Sequence, residues 1–253
     1  MTILCYHSVE PDWNSPLAVT PQEFGTQAAW LRARRRTLPL AEAIGRLDRT
    51  GRLPRGTAAL TFDDGFAALY EYVLPVLRRE RLPATVFLVA ETLTPSGRPV
   101  DWVDHAGSAT LRTLTVDQVL EMRDAGVDLQ SHSWAHHDLT QLSHEECVRD
   151  LRESRAFLSN LLGREVTLLA YPRGLHDDGV RAAAAAAGYT HALTLPERAE
   201  EPGPFAIPRV GIYRGNRQLT FRVKASRPYL TVRTSERAAT IAYRAKRLLR
   251  ARR

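Results

Sequence analysis

The sequence predicts an α/β protein, a distorted (β/α) barrel of about seven parallel strands that forms a single domain with a basic C-terminal helical tail. Short apolar segments typical of strands alternate with longer helix-like segments, as in a parallel sheet with helices outside it. A chain of 253 residues suits one such domain. The polar motifs follow directly after predicted strands, where barrel enzymes carry their active sites.

The predicted strands are mostly apolar or β-branched, and several end at turn residues or polar motifs. They cover residues 2–6, 57–62, 84–89, 127–130, 166–170, 190–194 and 208–213. Helix-like segments separate most of them, so we expect neighbouring strands to run parallel.

The predicted helices begin at residues that can cap a first turn. Thr20 and Glu23 form a capping box around Pro21, and Ser143 and Glu146 form a second one. The helices start at residue 20 and then cover 40–49, 66–79, 115–125, 143–163 and 177–188.

Two segments interrupt this regular pattern. Pro75 is expected to kink the helix over 66–79, because proline lacks the N–H that the helix needs. Residues 91–113, which include Trp102, are expected to form a loop of unusual length. Loops this long often carry function.

The charge of residues 222–253 differs from that of the rest of the chain. They hold 11 of the 35 Lys and Arg residues and one of the 28 acidic residues, so the other 221 residues carry 24 basic and 27 acidic groups. We therefore divide the chain into a domain at 1–221 and a basic amphipathic tail at 222–253. Because the positive charge does not surround the motifs, the pattern argues against nucleic acid as a partner.

The tail has the pattern of an amphipathic helix. One face carries Ala238, Ile241, Ala242, Ala245, Leu248, Leu249 and Arg252, and the flanks carry Arg237, Arg244, Arg247 and Arg250. Such helices lie on anionic membranes, which predicts peripheral membrane association. A helix docked on the barrel is an equally good interpretation, and nucleic-acid binding by the tail alone is a weaker one.

Features of targeting segments are absent from the printed sequence. Residues 1–7 have neither the basic nor the long apolar region of a secretory signal, and no segment has the roughly 20 apolar residues of a membrane span. Cys5 and Cys147 are the two cysteines, which fits a reducing compartment. We expect a cytoplasmic protein, which the tail would bring to the inner face of the membrane.

The motif Thr61-Phe62-Asp63-Asp64-Gly65 places two adjacent carboxylates at the end of a predicted strand. Adjacent side chains cannot both point the same way, so one carboxylate can bind a metal while the other faces a water. Gly65 allows the chain to turn sharply behind them. Taken alone, the motif is more typical of a turn or a helix N-cap.

The motif His132-Ser133-Trp134-Ala135-His136 follows another predicted strand. If the segment forms a helical turn, His132 and His136 lie on one face. Two histidines and one carboxylate are a common ligand set for catalytic Zn²⁺, with a water in the open position. Taken alone, a pair of surface histidines is an equally good interpretation, but the position after a strand favours the metal.

Two further motifs follow strands on the same predicted rim. Ala170-Tyr171-Pro172-Arg173-Gly174 is by itself typical of a turn without chemistry, although a backbone N–H there would be placed to face a tetrahedral intermediate. His7 follows the first strand, and a lone histidine is more often structural or merely exposed.

The two stronger motifs resemble those of the polysaccharide deacetylases of carbohydrate esterase family 4, the NodB-homology group. Residues 61–65 match the first family motif without change, and residues 132–136 match the second, H-[ST]-x-x-H. The resemblance runs from about residue 2 to 213 and is strongest between 57 and 194.

The resemblance implies a role for each motif. Asp63 would be the general base, and Asp64, His132 and His136 would hold a divalent metal, most often Zn²⁺. The backbone N–H of Arg173 would help to stabilise the oxyanion. The implied reaction is hydrolysis of an N-acetyl group on an amino-sugar saccharide, with release of acetate.

The chain departs from the best-known members of that family. Their third motif has Arg at the position of Ala170 and Tyr at the position of Arg173, so Ala170 cannot orient the catalytic aspartate. Their later Trp and Leu-x-His motifs are also missing. In the branch that resembles poly-N-acetylglucosamine deacetylases the chain is permuted, and a Tyr-His pair near the N-terminus replaces the lost histidine. Tyr6-His7 fits this branch, which makes His7 the candidate general acid.

The substrate is less closely defined than the chemistry. We expect Trp102, Tyr171 and Pro172 to contact the saccharide, and the missing signal segment favours a cytoplasmic or lipid-linked precursor over a secreted polymer. One alternative is a metal-dependent amidohydrolase of a small non-sugar amide. Another is a catalytically inactive saccharide-binding homologue, because the family arginine is missing at Ala170.

Overall fold

The structure is a computed structural model that describes residues 1–103, 111–196, 200, 203–226 and 228–235. Its strands are β1 (Thr2–Tyr6), β2 (Ser8–Val9), β3 (Ala18–Val19), β4 (Arg36–Thr37), β5 (Thr57–Phe62), β6 (Ala84–Leu88), β7 (Asp128–Ser131), β8 (Leu168–Ala170), β9 (His191–Thr194), β10 (Ile207–Pro208) and β11 (Val210–Gly211). Its α-helices are α1 (Pro21–Arg34), α2 (Leu40–Thr50), α3 (Leu74–Glu80), α4 (Val116–Asp124), α5 (His144–Leu162), α6 (Asp178–Ala186), α7 (Gln218–Lys224) and α8 (Pro228–Arg233).

The main sheet is parallel and nearly closes into a barrel. Its strands follow the order β10-β9-β8-β7-β6-β5-β1-β11, and β4 pairs with the start of β5. Arg209 alone separates β10, which pairs with β9, from β11, which pairs with β1. Residues 207–211 therefore join the two edges of the sheet as one interrupted strand. Counted in this way the barrel has seven strands, and the predicted distorted (β/α) barrel is confirmed.

The interior of the barrel is apolar below its polar rim. Alternate strand residues point inward and form one buried cluster, namely Ile3, Ala59, Phe87, Leu168, Ala170, Leu193 and Ile207. Leu40 and Ile44 of α2 belong to the same cluster. A larger apolar cluster lies between the strands and the outer helices. The core thus holds the strands in place and leaves their carboxyl ends for the site.

The helix starts follow from the capping residues that the sequence displays. The side chain of Thr20 accepts a hydrogen bond from the N–H of Glu23, and that of Ser143 accepts one from the N–H of Glu146. In both cases the glutamate bonds back to the capping residue's N–H. α5 ends at Gly163 in the left-handed conformation, as predicted.

The helix predicted over 66–79 is wrong in its first half. Leu69–Val73 form a π-helical turn, and the regular helix α3 begins only at Leu74. The wider turn ends at Val73, so Pro75 lies in the first turn of α3, where a missing N–H is tolerated. The strand predicted over 208–213 is shorter than expected and is interrupted at Arg209.

The predicted domain boundary falls inside α7. Phe221 of this helix is buried before the boundary, and Ala225, which caps the helix, is buried after it. The division into 1–221 and 222–253 stays a prediction, and the amphipathic face predicted over 237–252 lies outside the described residues. Across the described residues, no helix combines the length and the apolar character that crossing a membrane requires.

Candidate active site and metal centre

The residues of the two main motifs are placed by strands. The N–H of Asp63 donates to the carbonyl of Tyr6 at 2.9 Å, and the N–H of His132 donates to the carbonyl of Leu88 at 2.8 Å. Each residue thus continues the parallel pairing just beyond its own strand, β5 or β7. Gly65 then turns the chain with φ +66°, and a Cβ atom at this position would lie 2.8 Å from Leu88 Cδ2. The turn therefore favours glycine, as the motif predicted.

Asp64, His132 and His136 converge on one point, and all three side chains are buried. The Nε2 atoms of His136 and His132 lie 3.3 Å and 3.6 Å from Asp64 Oδ1. Two tetrahedral ligands about 2.1 Å from a metal are about 3.4 Å apart. The spacing and the donor types therefore fit a divalent metal of the zinc type.

Neighbouring groups orient these three ligands. The Nδ1 atom of His132 lies 2.8 Å from the carbonyl of Ala170, to which it can donate, and this leaves Nε2 free for a metal. Burial lowers the pKa of His132 to about 4, although Asp63 acts in the opposite direction. The imidazole is therefore neutral near pH 7, which is the form that binds metals.

Trp102 supports the other two ligands. Its indole N–H donates to Asp64 Oδ1 at 3.2 Å, and its ring stacks on His136 with 5.0 Å between ring centroids. The sequence predicted Trp102 as a saccharide contact; the structure also places it against two candidate metal ligands.

Residues 132–136 do not form the helical turn that would place both imidazoles on one face. The segment is irregular, with left-handed φ values of +70° at Ser133 and +56° at His136. The Oγ of Ser133 accepts the N–H of His136 at 3.0 Å and thereby fixes the turn. The two imidazoles meet in this way, with their centroids 4.9 Å apart.

Unusual backbone conformations concentrate at the site. Among the described residues other than glycine, Asp64, Arg81, Ser133, His136 and Arg173 have positive φ. Three of these five are predicted site residues, Ser133 lies between the two motif histidines, and Arg81 ends a helix. Such conformations cost energy and persist where the surrounding structure requires them, often at functional sites.

Asp63 is held by an arginine that the sequence interpretation missed. Both oxygens of its carboxylate accept hydrogen bonds from the fully buried guanidinium of Arg209, at 2.6 Å and 2.8 Å. The same guanidinium lies over the ring of Phe87 inside the barrel. Arg209 therefore orients Asp63, the role that the missing arginine at Ala170 would otherwise have.

The electrostatics keep Asp63 ionised. Burial by itself raises the pKa of this carboxyl, but Arg209 and His132 outweigh burial and hold the pKa well below its usual range. Cys5 lies on the other side, with its Sγ 3.3 Å from Asp63 Oδ2. Burial raises the pKa of the Cys5 thiol, so the thiol stays protonated and donates to the carboxylate.

A pocket opens above the predicted metal ligands. It is lined by His7, Asp64, Trp102, His136, Arg173 and Tyr213, among others. His7 lies beside Tyr213, with 6.4 Å between ring centroids, and one of its ring nitrogens lies within 4.8 Å of an Asp63 oxygen. The candidate acid thus shares this pocket with two of the predicted metal ligands, Asp64 and His136, and lies close to the candidate base.

The other two residues predicted to bind saccharide lie beneath this pocket. Tyr171 is fully buried, its hydroxyl donates to the carbonyl of Phe205 at 3.1 Å, and its ring stacks on His176. Pro172 is also buried and opens the short 3₁₀ turn Pro172–Gly174. In the structure these two residues support the turn that presents Arg173, and neither lines the pocket.

A comparison with protein families matches residues 50–192 to the family described as polysaccharide deacetylase. The matched range contains both the aspartate and the histidine motifs. A sequence relative, the poly-beta-1,6-N-acetyl-D-glucosamine N-deacetylase of Staphylococcus epidermidis, is 30% identical over 211 residues. The aligned part covers 76% of this chain and 67% of that protein.

Two solved structures share the fold. The Streptococcus pyogenes deacetylase PplD in complex with acetate has a TM-score of 0.75 at 23% identity, over 89% of this chain and 98% of that one. IcaB from Ammonifex degensii has a TM-score of 0.69 at 25% identity, over 83% and 91% of the two chains. The likeness therefore spans the whole barrel.

Proposed function

Because this chain belongs to the polysaccharide deacetylase family, we propose that it is a metal-dependent hydrolase that removes N-acetyl groups from an amino-sugar saccharide and releases acetate. The observation that carries the proposal is the buried Asp64, His132 and His136 set beside an ionised Asp63. The Staphylococcus epidermidis relative is named for a polymer of N-acetylglucosamine, so sugars of this type are the first substrates to test.

Asp63 is the proposed general base. Its carboxylate is fixed on both oxygens by Arg209, so it can take a proton from water without reorienting. A divalent ion held by Asp64, His132 and His136, for which Zn²⁺ is our proposal, would polarise the acetyl carbonyl and acidify the attacking water.

His7 and Arg173 are proposed to act on the other atoms of the acetamide. His7 lies in the same pocket as Asp64 and would protonate the leaving amine. The left-handed backbone of Arg173 stands at the pocket edge, and its N–H would donate to the developing oxyanion. Trp102 would contact the sugar through the part of its ring that lines the pocket.

The alternative of an inactive homologue rested on the missing arginine at position 170. Arg209 supplies a guanidinium to the same carboxylate from another strand. The structure therefore removes the reason for that alternative, and the hydrolase is the only function we propose.

A peripheral membrane location is a further part of the proposal. Leu219 and Val223 on α7 and Val232 on α8 are 75%, 51% and 62% exposed, and they precede the basic residues 237–253. Exposed apolar side chains beside basic residues are features of surfaces that bind anionic lipids. The cytoplasmic location at the inner membrane face stays a prediction.

The proposed function is tested by acetate release from N-acetylglucosamine oligomers. We expect release by the Zn²⁺-loaded protein, loss of release after chelation, and recovery on adding Zn²⁺. Asp63→Asn should lower kcat by at least about a hundredfold, since a general base contributes 10²–10⁴-fold, while bound zinc stays stoichiometric.

Asp117→Asn is the matched control, because Asp117 is exposed in the first turn of an outer helix, α4. It should release acetate like the wild type. Stoichiometric zinc without acetate release from any N-acetyl sugar would contradict the proposal.

A further inference from the structure

A second cavity adjoins the candidate active site. It has a volume of about 600 Å³ and lies between the barrel rim and the helices α7 and α8. Arg173, Leu195 and Tyr213 line both this cavity and the pocket above the metal ligands. One substrate can therefore place an acetamide at the metal ligands and another of its groups in the second cavity.

The second cavity is cationic. Lys224, Arg233 and Arg173 line it, and no carboxylate of the described residues lies within 4.0 Å of their charged nitrogens. Lys224 and Arg233 donate to backbone carbonyls instead, at 2.8 Å and 2.9 Å. We call this space, defined by Lys224, Arg233 and Arg173, the cationic cavity.

The acidic residue that the structure describes in this lining is already engaged. Glu200 lies 3.3 Å from His176 Nε2 and also accepts from the hydroxyl of Thr194. Among the described residues that line the cavity, three cations therefore stand against this one carboxylate. In a recess with low-dielectric walls such an excess attracts anions.

Lys224 is half-buried and lies near the guanidinium of Arg233. Burial, together with the neighbouring Arg233, lowers the pKa of Lys224 to about 8. Its ammonium also lies 4.9 Å from the centre of the Tyr213 ring, and Tyr213 faces His7 on the active-site side. A cation held in this way, with no acidic partner among the described residues, gains stability when an anion enters.

We propose that the cationic cavity binds a phosphoryl group carried by the N-acetylated sugar, so that the substrate is a phosphate- or diphosphate-linked amino sugar. A phosphoryl group offers up to two negative charges and several acceptor oxygens to three cationic side chains. A neutral polysaccharide would bring no negative charge to these three side chains, which have no carboxylate partner among the described residues. The inference rests on the proposed function, since it needs the N-acetyl group at the metal ligands.

The first test compares two soluble substrates, N-acetylglucosamine 1-phosphate and the neutral methyl N-acetylglucosaminide. For the wild type we expect kcat/KM to favour the phosphorylated sugar by at least about tenfold, as charge-assisted hydrogen bonds are the strong ones. Lys224→Gln and Arg233→Gln should remove most of this preference by lowering kcat/KM for the phosphorylated sugar.

Arg217→Gln is the matched control. Arg217 is exposed, precedes α7, and does not line the cationic cavity, but its loss changes the net charge by the same amount. This variant should keep the wild-type preference. If Arg217→Gln lost the preference as well, the net positive charge of the protein would explain the preference, and the cationic cavity would not.

A binding measurement separates this inference from the proposed function. The dissociation constants of both sugars are measured by calorimetry on Asp63→Asn, with and without Lys224→Gln. Tighter binding of the phosphorylated sugar that depends on Lys224 supports the cavity even if no variant releases acetate. Equal binding and equal kcat/KM for the two sugars would overturn the cavity, while acetate release would still support the deacetylase.

Two further substrates identify the source of the phosphoryl group. UDP-N-acetylglucosamine and a polyprenyl diphosphate-linked N-acetylglucosamine in detergent carry the same diphosphate. Hydrolysis of both should depend on Lys224, and independence from Lys224 would count against the cavity. The higher kcat/KM distinguishes a nucleotide-linked from a lipid-linked substrate.

Discussion

The pair Arg209 and Asp63 shows that the site needs a guanidinium beside the carboxylate, and that this guanidinium can come from different places in the sequence. The guanidinium comes from the break between β10 and β11, and the carboxylate comes from the end of β5. β1 lies between these strands, so the pair spans a neighbouring strand. An arginine on any strand whose rim faces Asp63 would meet the same need, which explains how Ala170 is tolerated.

Replacing Arg209 should change how activity depends on pH. In Arg209→Met burial acts on Asp63 without the opposing guanidinium, so the pKa of this carboxyl rises. The base is then protonated over more of the acidic range, and the acid limb of kcat/KM moves to higher pH. Arg209→Lys should shift this acid limb less, because a cation remains. Acetate release measured from acidic to neutral pH should therefore place the acid limb lowest in the wild type, higher in Arg209→Lys and highest in Arg209→Met.

Replacing Arg209 should also change the free energy of unfolding and its dependence on pH. The pKa of Asp63 in the folded protein lies below the unfolded value of roughly 3.9. The stabilisation from the ion pair is therefore complete above about pH 4 and is lost as pH falls through the lower folded pKa. Arg209→Met should cost about 3–5 kcal/mol at neutral pH, since it removes the cationic partner of a buried charge. An exposed control, Arg217→Met, that lost as much stability in urea would refute this assignment.

At the scale of residues, the sequence predicted the groups that short motifs encode. Asp63, Asp64, His132 and His136 lie together in the structure, as their positions after strands predicted. Arg209 and Cys5 were missed because their contacts with Asp63 join residues 146 and 58 positions apart. One signal was present: an arginine inside an apolar strand must find a partner, although the sequence does not say which carboxylate it is.

At the scale of elements, the correct predictions are those that depend on residues close together in the sequence. Capping boxes and terminal glycines are local signals, so the start of α1 and both ends of α5 agree closely with the prediction. The π-helical turn before α3 and the irregular 132–136 segment depend on distant contacts. For example, Ala90 donates its N–H to the carbonyl of Ser133. The sequence of residues 132–136 alone does not indicate that bond.

The turn Pro172–Gly174 gives a test at this scale. Gly174 has φ +72°, and a Cβ there would lie 2.8 Å from the backbone nitrogen of Leu195. Gly174→Ala should therefore displace the turn that presents Arg173, with a loss of roughly 1–3 kcal/mol in unfolding free energy and a lower kcat. Thermal unfolding and acetate release measure the two effects.

Gly97→Ala is the control for backbone conformation alone. Gly97 has φ +60°, but a Cβ there would meet no atom within 4 Å. It should lose less stability than Gly174→Ala and keep its kcat. Equal losses in the two variants would mean that close packing at Gly174 has no effect.

At the scale of the whole molecule, the C-terminal segment has two surfaces. Lys224 and Arg233 face the cationic cavity, while Leu219, Val223 and Val232 face outward. A membrane-bound protein would thus hold its second cavity close to the lipid surface. The sequence predicted the basic character of this segment but could not predict which side chains the barrel would leave exposed.

Membrane association is tested by sedimentation of the full chain with phosphatidylglycerol vesicles. We expect binding that weakens at high salt, and the double variant Leu219→Gln/Val223→Gln should bind at least about threefold more weakly because it removes exposed apolar area. Thr220→Gln, on the same helix, should bind like the wild type. Equal binding of the double variant would exclude this face as the attachment surface.

The strand that closes the barrel is also the last part of the site to be synthesised. The ribosome makes both aspartates and both histidines of the site well before it reaches Arg209. A chain released before that residue would contain every proposed ligand for the ion but no guanidinium to keep its buried base ionised. The carboxylate of Asp63 therefore gains its cationic partner only when the last strand is made.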